Sequence, residues 1–140
     1  MKKIIALSVL IATSFTNCSD DDNIDTDPAP PVITIESPSF SPVQVYSTNS
    51  GNELEPEIAV LAAEAVDETE IRLIRLSVSD NSGNTVFEQT EEVNLENETT
   101  LSISAEFSTT EADAYSVIYT AIDVSGNLRV SNPRPFIYTD

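Results

Sequence analysis

The chain has 140 residues and a formal net charge of −18, from 24 Asp and Glu against six Lys and Arg, with no His at all. Such a surface repels nucleic acid and anionic lipid headgroups. The lack of His, together with a single Cys, removes the imidazole base, the Cys/His and Ser/His nucleophile pairs and the Cys/His zinc sets, so any catalysis would rest on carboxylates alone.

At the N-terminus, Lys2 and Lys3 open a short basic region, an apolar run follows from Ile4 to Phe15, and Cys18, the only cysteine, stands where that run stops. This is the layout of a secretory signal. The apolar run is too short for a permanent bilayer-crossing helix, which takes about 20 residues. Cys18 is followed by Ser19 and by Asp20, Asp21 and Asp22. The segment resembles a bacterial lipoprotein signal peptide with a relaxed box, Phe15-Thr16-Asn17, and the acidic tract resembles the surface-export signal of lipoproteins from the Bacteroidetes. The resemblance implies a signal peptide over residues 1–17, a lipid on Cys18, export directed by Ser19, Asp20, Asp21 and Asp22, and an outer-membrane protein exposed on the cell surface. Acylation also disposes of a lone exposed thiol. Losing Lys2 and Lys3 moves the formal charge from −18 to −20 and leaves four basic residues, Arg72, Arg75, Arg129 and Arg134. Like-charge repulsion on that scale favours a monomer.

Residues 18–31 are Asp, Ser, Asn, Thr and Pro with little else, and Pro28, Pro30 and Pro31 favour an extended chain. This reads as a spacer between lipid and domain. Residues 32–140 have the size of one domain, large enough to bury a core without a disulfide. A period of two takes over there. Ile33 and Ile35 alternate with Thr34 and Glu36, Ile74, Leu76 and Val78 with Arg75, Ser77 and Ser79, and Leu101, Ile103, Ala105 and Phe107 with Ser102, Ser104 and Glu106. These are half-buried strands. Turn residues separate them at 49–52, 80–84 and 125–127, where all three Gly residues lie and where positive φ is most often needed. The stretch 56–67 also fits a helix, with Ile58, Leu61, Ala62 and Ala65 at helical spacing and Pro56 as a first-turn proline. A central strand is preferred because strand signals flank it on both sides. The expectation is seven strands, at 32–37, 57–66, 71–79, 85–92, 99–107, 114–123 and 128–138, the last confined to a sheet edge by Pro133 and Pro135.

The run Glu111-Ala112-Asp113-Ala114-Tyr115-Ser116-Val117 resembles the tyrosine corner of immunoglobulin-like sandwiches, with Tyr115 in a structural role and Val117 where antibody domains carry a cysteine. Ala65-Val66-Asp67 and Ala121-Ile122-Asp123-Val124-Ser125-Gly126-Asn127 are similar to the ends of the second and sixth strands in bacterial Ig-like, cadherin-like and fibronectin-type modules. The resemblance implies a single all-β, Ig-like antiparallel sandwich without a disulfide.

In that order of strands, the loops after the second, fourth and sixth strands gather at the N-terminal end. They would collect Asp67, Glu68, Glu70, Glu96, Glu98 and Asp123, with Asp25 and Asp27 nearby. Carboxylates converging from several loops are what Ca²⁺ requires, which makes Asp67, Glu68 and Asp123 the candidate metal ligands. The alternative is a solvated acidic face. The same carboxylates as a glycoside-hydrolase pair would need a cleft that loops of this length seldom build, so the chain reads as a non-enzyme. Glycan platforms would have to come from Tyr46, Tyr119, Tyr138, Phe40 or Phe136. Loops at 47–56, 80–84 and 109–113 close the opposite end, where a surface protein or glycan partner would be met. The functional expectation is a cell-surface lipoprotein acting as a binding, adhesion or accessory module, ahead of a Ca²⁺-stabilised spacer and of a carboxylate-based glycan-active enzyme. No cofactor is expected other than Ca²⁺.

Overall fold

The computed structural model describes residues 29–49, 55–93 and 97–140. Nine strands run in chain order through them: β1 (Val32–Ser37), β2 (Gln44–Ser47), β3 (Ala59–Val66), β4 (Ile71–Ser79), β5 (Thr85–Glu92), β6 (Thr100–Phe107), β7 (Ala114–Asp123), β8 (Leu128–Val130) and β9 (Arg134–Thr139). One sheet has the order β1-β3-β6. The other has the order β2-β9-β7-β4-β5, with β8 also paired to β7. All pairs are antiparallel except β2 with β9. This is an all-β sandwich in the strand order of an Ig-like fold, and a single cysteine allows no disulfide within the chain.

The helical alternative for 56–67 loses to the period of two. Ala59, Leu61, Ala63 and Ala65 of β3 are all buried, while Ile58, which a helix would have turned to the core, is 54% exposed. β3 sits between β1 and β6, so both of its edges are hydrogen-bonded. Its small inner side chains face a second sheet whose inner face carries Tyr115, Val117, Tyr119, Phe136 and Tyr138, and together these form one buried cluster with Ile74, Leu76 and Val78. The small side chains of β3 leave room for the large rings of the facing sheet.

Two departures from the expected seven strands have physical causes. β2 is only four residues long and exposes Val45, too short and too one-sided to register as a period. The expected last strand is two strands: the chain leaves the ladder at 131–133, where Pro133 offers no N–H, and the Ser131 hydroxyl accepts the Tyr119 N–H in place of a carbonyl, 3.0 Å away. β9 is also not an edge. β2 covers it over Phe136–Thr139, and Pro135 escapes conflict because it lies one residue before that register begins. The true edge on the far side, β5, is nearly all exposed and carries Glu88, Glu91 and Glu92, charges that discourage another sheet from adding to it.

Candidate functional site

At the end of the sandwich where the chain enters, Asp67 directly follows β3 and Asp123 is the last residue of β7. Three loops meet there, as the Asp67 N–H donates to Thr99 O at 2.9 Å, the Ile71 N–H to Glu98 O at 2.8 Å and the Val124 N–H to Glu70 O at 2.9 Å. The entering chain is tied to the same end: the Asn127 side-chain amide donates to Ala29 O at 3.4 Å and the Arg129 Nε–H to Pro31 O at 3.0 Å.

The two aspartates are engaged within their own turns. Asp67 is 9% exposed, and its Oδ1 accepts both the Thr69 N–H and the Thr69 hydroxyl at 2.8 Å. Asp123 is fully buried. Its Oδ1 accepts the Asn127 N–H and its Oδ2 the Asn127 side-chain amide, each at 2.7 Å. Glu68 is exposed beside a shallow depression of about 220 Å³ that Asp67, Ala29, Pro30 and Val66 also line. Among the described residues no three carboxylates are grouped as metal ligands. Cys18, Ser19, Asp20, Asp21 and Asp22, like Asp25, Asp27 and Glu96, lie outside the described residues.

At the opposite end the organising chemistry is aromatic. Tyr115, near the start of β7, donates its hydroxyl back to Glu111 O at 3.2 Å. Its ring stacks on Phe136 at 5.8 Å and lies 5.4 Å from Phe107. Tyr138, reaching across from β9, sets its hydroxyl between Phe107 O at 2.8 Å and Glu57 O at 2.9 Å, so one ring ties the two sheets together. Its burial, with the charges of Tyr46, Glu57 and Tyr115 adding to it, pushes its pKa up to about 12. Tyr119 makes the matching tie on β1 by donating to Ser37 O at 2.6 Å, and burial raises its pKa too. Tyr119, Tyr138 and Phe136 are therefore core rings and offer no glycan platform. Of the expected platform residues only Tyr46 and Phe40 reach the surface, Phe40 being 60% exposed.

Sequence reasoning passed over the open side of the sandwich between β1 and β8–β9. Arg129 and Arg134 line a groove there of about 400 Å³. The available signal was their spacing against β7, which becomes readable only once the register is known.

No family model matches the chain, and no curated protein matches it. Among solved structures it is similar to an engineered protein solved by crystallography, with a TM-score of 0.51 at 18% identity over 81% of this chain. The chain spans 21% of that protein's length. Likeness at that level bears on the sandwich fold alone.

Proposed function

We infer that this chain is a Bacteroidetes-type cell-surface lipoprotein, held at the outer membrane through a lipid on Cys18, whose sandwich is a binding, adhesion or accessory module of an envelope assembly. The observation that carries the reading is the way the chain enters the domain. Asn127 and Arg129 grip Ala29 and Pro31 at one end, so a tether from Cys18 would join the domain at that end, opposite the loops at 80–84 and 108–113. Loops on a rigid sandwich are suited to recognition, and the open depressions seen among the described residues suit binding better than chemistry. The Ca²⁺-stabilised spacer has less support, because both aspartates that would supply it already hold their own turns.

The test is fractionation. Cys18→Ala should move the protein from membranes to the soluble fraction, since no thiol is left to acylate. Ala at Asp20, Asp21 and Asp22 together should leave it membrane-bound and shielded from protease added to whole cells. Membrane association of the Cys18→Ala chain would overturn the anchor, and continued protease sensitivity of the triple variant would overturn the export role.

A further inference from the structure

The two sheets part along one side of the sandwich. Among the described residues β1 pairs only with β3 and β8 only with β7, so both present an unpaired edge there. The groove between them has Val32, Ile33 and Ile35 on one wall and Arg129, Val130 and Arg134 on the other. Arg129 stands opposite Ala121, and Arg134 opposite Val117. Both partners are fully buried inner-face residues, and residues paired across a ladder share a face. Two of the chain's four arginines, Arg129 exposed and Arg134 half-buried, therefore hold inner-face register positions, where a sandwich ordinarily carries apolar side chains.

Their partners are incomplete. The Arg134 Nε is buried and has no hydrogen-bond partner, while its guanidinium carbon lies 5.3 Å from the centre of the Phe40 ring. The Arg129 Nε–H is spent on Pro31 O, a neutral carbonyl. A buried guanidinium nitrogen left unbonded costs free energy that a carboxylate would recover. In a chain with 24 acidic residues, among the described ones none is bonded to either arginine.

The backbone beside them is also unspent. The Ser131 N–H donates to Tyr119 O and the Asp123 N–H to Asn127 O. By the alternation of an antiparallel ladder, Arg129 then directs its backbone at β7, and Leu128 and Val130 turn theirs to the open edge. The side chains of Leu128 and Val130 lie on the outer face, 55% and 51% exposed. A strand laid along β8 would therefore meet two different faces: guanidinium groups inside, apolar side chains outside.

We propose that this groove takes an extended acidic segment of a partner protein, added as a strand to β8, in which carboxylates facing Arg129 and Arg134 alternate with apolar residues beside Leu128 and Val130. Main-chain bonds to the edge supply affinity and the alternation supplies selectivity. The competing account is that the inward arginines only guard the edge against other sheets. The proposal rests on the reading of the chain as a binding module and names the surface and the partner's chemistry. It does not depend on the lipid anchor.

The full-length chain in detergent is titrated into three short fluorescent peptides: one alternating Glu and Val, one alternating Lys and Val, and the Glu/Val peptide N-methylated at alternate amides. The Glu/Val peptide should bind, and the other two should not. Arg134→Met should weaken that binding about tenfold, as expected for losing a charge-assisted bond. Val130→Pro removes an edge-facing N–H without touching the ladder to β7 and should weaken it as well. Equal binding of the Glu and Lys peptides, undiminished binding of the N-methylated peptide, or no binding of any peptide overturns the proposal, the last leaving an edge guard only. The three peptides on the unmodified chain decide the matter even where a variant fails to fold. The assay contains no cell membrane, so its failure and a failure of the fractionation test are separate results.

Discussion

The turns Asp80–Asn84 and Asp123–Asn127 share Asp, Ser, Gly and Asn at the same spacing, follow the antiparallel neighbours β4 and β7 and so close opposite ends of the sandwich. They are wired alike. In each, the carboxylate accepts the N–H of the last Asn, at 2.8 Å and 2.7 Å, and its side-chain amide, at 2.9 Å and 2.7 Å. In each, the Asp N–H donates to that Asn carbonyl and the Gly N–H to the Asp carbonyl, and the glycine has φ of 85° or 89°. What differs is the surroundings. Asp80 faces water, and the nearest tie to another loop is a long bond of 3.4 Å from the Asn81 N–H to Asp113. Asp123 is fully buried, and its turn is bound both to the β3–β4 loop and to the entering chain. One five-residue motif thus serves as a simple hairpin closure at one end and as the clamp of the chain's entry at the other.

The comparison breaks most sharply at the two aspartates. Asp123→Ala removes a fully buried carboxylate and strips the part-buried N–H and side-chain amide of Asn127 of their charged acceptor, and should cost about 3 kcal/mol in urea unfolding. Asp80→Ala removes the same bonds where solvent can take over, so the midpoint should fall by clearly less. Equal losses would show that the wiring, and not burial, sets the value of the motif.

Most of the fold was legible because half-buried strands write a period of two into the chain. The expected boundaries at 32–37, 71–79, 85–92 and 114–123 are those of β1, β4, β5 and β7. What stayed hidden depends on long-range pairing. Gln44–Ser47 carries no period of its own and is a strand only because β9 lies beside it in parallel. Pro133 and Pro135 pointed to an edge strand, whereas β9 is paired on both sides, because the presence of β2 beside it could not be read from them. The two glycine turns were legible as turns, while the burial of Asp123 comes from loops distant in sequence. Arg129 and Arg134 looked like the residue of a charge count, since their inward direction follows from Ala121 and Val117 across a register that no local pattern displays.

A sharper test of shared local wiring uses the glycines. Gly83 and Gly126 both have positive φ, and a Cβ built on either meets no atom within 4 Å. Ala at each should therefore cost backbone strain alone, about 1 kcal/mol and nearly the same at both ends. A much larger loss for Gly126→Ala would mean that the buried turn cannot relax as the exposed one does, extending the difference from the carboxylate to the backbone.

The smallest effect concerns acid. The Asn84 side-chain amide, with the backbone N–H groups of Asn84, Ser82 and Gly83 assisting, holds the Asp80 carboxyl below its ordinary value of 3.8. The folded chain therefore keeps this proton off after the unfolded chain has begun to take it up. The contribution of Asp80 to stability is present above the ordinary value and is lost as pH falls through the lower, folded one. Asp80→Asn cannot titrate, so the stability difference between wild type and this variant should shrink between roughly pH 5 and pH 2. Because the group is exposed, salt should flatten the change further. A difference that stays constant across that range would show that the exposed turn is held by its backbone bonds and glycine alone, and would confine the carboxylate's importance to the buried copy of the motif.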